Sequence, residues 1–391
     1  MELVEKLNRE LVNYLKERGF LVTKSVEKAF LEVRRHYFTP EIWEFGENGK
    51  WTRYKLNYKS PDEDLLRKIY KDTSLNLMVE DGKVITTSSQ PAVMAVMMEG
   101  VGLDKGDRVM EIGTGSGYNI GVMSKVVGNS GIAVSIEVNP GVYGFAKENL
   151  ERAGIRNVHL WLGDGTFGLE KYAPYDKIVV TAATPVISDN WIAQMRIGGK
   201  LVLPLVVRGL EILVFMEKKE EGILEGQGRY YVRFLSFKGP GSVIYRDLPP
   251  VSVLPLETVL RTSAIRDREL ESVINTLTIK ERHDLFLYLA LMEKHATSFA
   301  TEVGEFEWGY GIWKDGVKKS GFVFVFGDRV YTWGDRNARL MFFKLFEQWN
   351  DLGKPKIGDY KIKVVPRGYL PLAKDAIVFK GMRLCVIFER T

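Results

Sequence analysis

The residues best placed to do chemistry begin where a hydrophobic run at 108–112 hands over to Glu111-Ile112-Gly113-Thr114-Gly115-Ser116-Gly117-Tyr118. Glycine at every second position predicts a tight, open turn that a ligand can approach closely, and the helix that follows offers unpaired N–H groups. That is the chemistry of nucleotide binding. Tyr118 stands where the dinucleotide fingerprint needs its third glycine, which disfavours a nicotinamide cofactor, and no phosphate-cradling G-x-x-x-x-G-K-[ST] surrounds the turn. Glu137 closes the next strand 20 residues after Gly117, where a carboxylate accepts bonds from both hydroxyls of a ribose. Gly163-Asp164-Gly165 follows a third strand and sets an acid where it can take an amino group of a base. Taken singly, each is also an ordinary loop feature of an α/β fold; in this order they imply an adenosine ligand without a polyphosphate.

The elements that must position these residues read as strand–helix alternation. β-rich runs at 108–112, 132–138, 158–162, 177–181 and 200–205 predict βαβ units in an α/β, Rossmann-like, doubly wound, mostly parallel sheet, with the ligand beyond the strands' carboxyl ends. Runs at 211–216 and 230–237 would add an antiparallel ribbon. Ahead of the sheet, Leu3, Leu7, Leu11, Val12 and Leu15 predict an amphipathic helix over 2–18. A second helix is expected over 25–35, capped by Ser25 and ended before Pro40, then a loop at 46–61. Past the Gly- and Pro-rich 238–250, helices at 270–294 and 337–349 mix with strand-like runs at 306–313, 321–326, 360–365 and 384–388. The expected division is an N-terminal helical extension with substrate-side elements (1–82), the ligand-binding domain (83–240) and a C-terminal α+β domain without an assigned role (251–391).

The ordered set resembles the class I S-adenosylmethionine-dependent methyltransferases, and in particular the protein-L-isoaspartate O-methyltransferase family, over roughly residues 20–237. The family's V-x-x-A-F-x-x-V-x-R-x-x-F-x-P entry is matched from Val26 to Pro40, and its T-x-S-x-P segment by Thr87-Ser88-Ser89-Gln90-Pro91. Gln90 replaces the usual alanine, as in long relatives with an extra C-terminal domain. Ala173-Pro174-Tyr175-Asp176, Thr181-Ala182-Ala183-Thr184-Pro185 and Gly198-Gly199-Lys200-Leu201-Val202-Leu203-Pro204 extend the match. The resemblance implies S-adenosylmethionine as methyl donor, released as S-adenosylhomocysteine. It places Glu111, Gly113, Thr114, Gly115, Gly117, Tyr118 and Asn119 on that donor, with Glu137, Gly163, Asp164 and Gly165. It also implies Ser89 as the catalytic hydroxyl, with Thr87, Ser88, Thr184 and Pro185 beside the substrate. Read from the residues alone, Ser88 and Ser89 also suit a helix cap ahead of Pro91. Arg208 stands in place of the short relatives' glycine-rich substrate loop, either pairing with a substrate carboxylate or as a solvated arginine.

The implied activity is that of a protein-L-isoaspartate(D-aspartate) O-methyltransferase. It methylates the α-carboxyl of L-isoaspartyl residues in damaged proteins or peptides, whose esters close to succinimide and reopen partly as aspartate. A carboxyl is ionised at neutral pH, its pKa being about 4, so the transfer needs no strong base. The alternatives are aspartyl methylation of a dedicated ribosomal peptide, a tRNA methyltransferase, and a non-catalytic cofactor-binding sensor. Residues 181–185 lack the Asp/Asn-Pro-Pro-aromatic motif of many base methyltransferases, and a net charge of +5 from 55 basic and 50 acidic residues does not point to nucleic acid. One cysteine and four scattered histidines point to no metal site and to a reducing compartment. No apolar run approaches the roughly 20 residues of a membrane span, and no leader is evident, so the expected location is the cytoplasm. Lys/Glu-rich usage with four glutamines resembles that of hyperthermophiles. The run Phe322-Val323-Phe324-Val325-Phe326 reads as a core strand before a binding edge for a peptide or second protomer, and the oligomeric state is not legible.

Overall fold

The computed structural model describes residues 2–185, 187–239, 254–256, 264–300, 308–314, 320–325, 327–369, 376–380 and 383–391 of the chain. Its N-terminus follows the leucine spacing. α1 (Glu2–Glu17) buries Leu7, Leu11, Val12 and Leu15, and Asn8 on the same face donates to the Phe30 and Leu31 carbonyls of α2 (Lys24–Glu32). Thr23 rather than Ser25 is the cap position of α2. That helix stops at Glu32, leaving Arg35–Phe38 as a separate 3-10 turn.

The expected loop at 46–61 contains strand instead. β1 (Glu41–Phe45) and β2 (Trp51–Lys55) pair antiparallel around a turn in which Gly49 takes φ +72°. Rings at Trp43, Trp51 and Tyr54 favour a pleated surface and outweigh the polar residues between them. After α3 (Glu63–Ile69), β3 (Leu75–Glu80) and β4 (Lys83–Ser88) complete a four-stranded sheet in the order β2-β1-β3-β4. The N-terminal extension is therefore mixed rather than helical. Its last strand delivers residues 87–89 to the start of α4 (Pro91–Val101).

The main sheet is the doubly wound, Rossmann-like one expected. β5 (Arg108–Ile112), β6 (Ile132–Glu137), β7 (Val158–Leu162) and β8 (Tyr175–Val180) are parallel, with α5 (Tyr118–Val127) and α6 (Pro140–Arg152) among the crossovers. Because β5 lies between β6 and β8, the strand order reverses at its carboxyl end and a crevice opens there. After α7 (Asp189–Ala193), β9 (Met195–Val207) continues parallel to β8, and β10 (Leu210–Glu220) and β11 (Ile223–Tyr231) fold back antiparallel. The second ribbon strand, expected at 230–237, lies at 223–231 because the chain turns directly after β10.

The C-terminal part is α+β, as expected, but it does not stand apart. β12 (Leu254–Pro255) and β13 (Ile265–Arg266) precede α8 (Arg268–Asn275) and α9 (Ile279–Met292); the single expected helix is split where Thr278 and Glu281 form a capping box. β14 (Ala296–Ala300), β15 (Trp308–Lys314), β16 (Ser320–Val325) and β17 (Arg329–Gly334) join β12 and β13 in a six-stranded sheet, followed by α10 (Asn337–Asp351). Residues 320–325 of β16 are all buried, with the Phe324 ring 5.3 Å from Phe286 of α9. Phe326, residues 306–307 and most of the expected boundary at 238–250 lie outside the described residues.

β18 (Tyr360–Pro366) then pairs with β11, and β20 (Leu384–Arg390) and β19 (Ile377–Lys380) extend the same sheet to ten strands. One hydrophobic core runs from Met110, Ile178 and Leu201 to Phe286, Phe342 and Trp349, so residues 83–240 and the C-terminal part share both sheet and core. A second core joins the sheet's other face to α1, α2 and α4. Among the described residues no helix is long and apolar enough to cross a membrane.

Candidate active site

A cleft of about 950 Å³ opens at the carboxyl end of β5. Its floor is the glycine turn. Gly113 has φ +98°, and a Cβ there would stand 2.7 Å from the Thr181 hydroxyl; Gly115 has φ +56° with the Thr87 carbonyl close by. These left-handed conformations and close approaches explain why the chain needs glycine at both positions. Glu111 is fully buried beneath the turn and accepts bonds from Asn119 Nδ2 at 2.7 Å and Ser135 Oγ at 2.6 Å. Burial pushes its carboxyl up to about 8. Glu137, at the end of β6, accepts from the Gly115 and Asn139 amides at 3.3 and 2.9 Å. Thr114 is pinned by its hydroxyl to Ser135 at 2.7 Å.

Across the cleft lies the segment 87–90. Its support is a residue to which the sequence reading gave no role. Arg35, fully buried, donates to the carbonyls of Ile69 and Lys71 at 2.9 Å, Thr73 at 2.8 Å and Ser89 at 3.1 Å, and to the Ser88 hydroxyl at 3.3 Å. Burial lowers its pKa to about 10, so it still carries its charge at neutral pH. Gln90, not Ser89, is the cap position of α4, and Asp72 accepts from Ala92 N at 2.8 Å in place of a serine cap. Ser89 therefore lines the cleft with its main chain held, and its hydroxyl makes no hydrogen bond among the described residues.

Comparison with known proteins decides the family. The sequence profile described as Protein-L-isoaspartate(D-aspartate) O-methyltransferase matches residues 58–240. A protein-L-isoaspartate O-methyltransferase of Thermotoga maritima is 37% identical over 234 residues, 60% of this chain and 66% of that protein. One of Pyrococcus horikoshii is 36% identical over 239 residues, 61% of this chain and 95% of that protein. The chain belongs to the protein-L-isoaspartate O-methyltransferase family. A solved protein-L-isoaspartate O-methyltransferase structure covers 91% of this chain and is itself covered to 96%, with TM-score 0.55 and 28% identity.

Not every residue that the isoaspartate methyltransferase resemblance singled out reaches the cleft. Thr87, Ser89, Glu111, Gly113, Thr114 and Gly115 line it, as do Tyr118, Asn119, Glu137 and Gly165. Ser88, Gly117, Gly163, Asp164, Thr184 and Pro185 do not. Ser88 is buried against Arg35, and Gly117 caps α5 with its back to Ala146. Asp164 caps the turn Gly165–Phe167 through Thr166 N at 2.9 Å, with Gly239 packed over its carboxylate. Thr184 is buried in a β-bridge, donating its amide to the Pro204 carbonyl at 2.9 Å. Arg208 is half-buried and is not among the residues lining the cleft: it lies against the C-terminal part, donating to the Ala290 carbonyl with its guanidinium 4.9 Å over Phe379. Sequence reading also missed Glu211, His283 and Trp308, which line the outer cleft. Their separation along the chain gives no spacing signal.

Proposed function

We infer that this chain transfers the methyl group of S-adenosylmethionine to the α-carboxyl of L-isoaspartyl residues in damaged proteins or peptides, starting their return through succinimide toward aspartate. The observation that carries this reading is one cleft, in a member of this family, shared by the glycine turn with Glu111 and Glu137 and by the Arg35-held Ser89. The residues fit such a donor. Among the described residues Asn119 Oδ1 and Tyr118 Oη are buried beside the cleft without hydrogen-bond partners, and the bare glycine backbone leaves room for a nucleoside. Glu137 would take the ribose hydroxyls, and Glu111 with Asn119 Oδ1 would face the donor's amino group. When bound, S-adenosylmethionine supplies an electrophilic methyl on a positively charged sulfur and leaves as S-adenosylhomocysteine.

The chain's own work is positioning. The acceptor carboxylate is already ionised, so no proton has to be moved, and the rate comes from holding oxygen, methyl and sulfur in line. Ser89 Oγ donates to the carboxylate and orients it, while Arg35 fixes the Ser89 main chain. The location that fits is a reducing compartment such as the cytoplasm, where the buried Cys385 stays a thiol. The test is label transfer from S-adenosylmethionine to paired peptides that differ only in carrying isoaspartate or aspartate. Transfer to the isoaspartyl peptide alone is expected; transfer to neither, or to the aspartyl peptide alone, refutes the reading.

A further inference from the structure

The outer half of the cleft is built by residues far apart in sequence. β10 and β11 contribute Glu211 and Tyr231, α9 contributes His283, and β15 contributes Trp308. The last two lie beyond the residues that the family profile matches. Three rings face this space. Tyr231 is held by its hydroxyl on Asp284 at 2.7 Å and lies 5.0 Å from the His283 ring, and the Arg233 guanidinium stands 5.3 Å over the Trp308 indole. The indole N–H of Trp308 is buried and finds no acceptor among the described residues. A buried donor without a partner is costly, so a group that brings an acceptor is favoured there.

We propose that this outer half is a subsite for the polypeptide flanking the methylated residue, in which Trp308 donates to a main-chain carbonyl and the rings of Tyr231, His283 and Trp308 take an apolar or aromatic side chain. The occupant follows from continuity: Ser89 and these rings line the same cleft, so a chain that places its acceptor carboxyl at Ser89 can extend over them. A main-chain acceptor suits a substrate whose sequence varies, and the rings add a preference at one position. Glu211, whose carboxyl accepts from Phe234 N at 2.7 Å, fixes the segment after β11 that forms the rim. The C-terminal part thereby acquires a role in substrate choice.

This inference rests on the peptide-methylating reading, and the test separates the two. Isoaspartyl peptides with phenylalanine or alanine scanned along the flanking positions are titrated by calorimetry into the full chain with S-adenosylhomocysteine bound, which needs no turnover. Phenylalanine at one position should tighten binding about five- to tenfold, the range of a ring–ring contact. Trp308→Ala and His283→Ala should each erase most of that gain without changing affinity for S-adenosylhomocysteine. Trp308→Phe, which keeps a ring and loses the N–H, should keep the preference and weaken all peptides by about threefold or more, the loss of one hydrogen bond. No preference at any position, or a preference unchanged in both alanine variants, overturns the subsite. A wild-type chain that shows the preference yet methylates none of the peptides would overturn the proposed activity and leave the subsite standing.

Discussion

The two halves of the cleft are made in different ways. The donor side is assembled from ends of neighbouring parallel strands, and its glycines and acids recur at intervals fixed by the βαβ unit. The outer side gathers Glu211, Tyr231, His283 and Trp308 from a ribbon, a helix and a second sheet. Local geometry, set by the βαβ unit, makes the first half. Long-range packing makes the second half, so substitutions should separate donor binding from acceptor binding.

Arg35 gives the largest expected effect because it supports the boundary between the halves. Arg35→Met leaves several buried carbonyls without a donor and should cost about 3 kcal/mol or more, read as a lowered midpoint in denaturant. Arg35→Lys should recover only part of this, since an ammonium cannot reproduce the fork. Next is Gly113→Ala, which puts a side chain at φ +98° and against Thr181. A strain of about 1–3 kcal/mol should appear as loss of donor affinity by calorimetry, with peptide affinity retained. Equal loss of both would break the division into halves. Ser89→Ala should lower kcat by about 10- to 100-fold, the value of a hydrogen bond to a charged group, and leave donor binding unchanged.

The finest test uses the two buried acids. Burial pushes Glu111 up to about 8 and Glu211 up to about 7, each from an ordinary 4.5. The folded chain then holds these protons at pH values where the unfolded chain has lost them, so stability falls as pH rises through the interval between the two pKa values. Melting temperature against pH should therefore flatten over pH 4.5–8 in Glu111→Gln and only over pH 4.5–7 in Glu211→Gln. An identical response from both would show that the two acids do not titrate separately.

What the sequence made legible follows the same division. The parallel strands, the glycine turn and Glu137 could be placed because period and spacing encode them directly. β2 falls inside the expected loop at 46–61 because a short strand with polar neighbours carries little periodicity. Asp164 and Thr184 sit at the expected places along the chain, where Asp164 accepts from Thr166 N and the Thr184 amide donates to the Pro204 carbonyl, contacts that no spacing rule foretells. Arg35 was visible as part of a motif, but its role appears only when residues 69–73 fold onto it.

The pairing of β18 with β11 has a consequence for how the molecule is made. During synthesis the chain leaves the ribosome in order, so the ribbon edge at Leu224–Gln227 emerges long before Lys361–Val364 can cover it. Until then the nascent protein presents an open strand edge, the kind of surface that recruits chaperones or wrong neighbours. Deleting the C-terminal residues to obtain a minimal enzyme would make that transient state permanent.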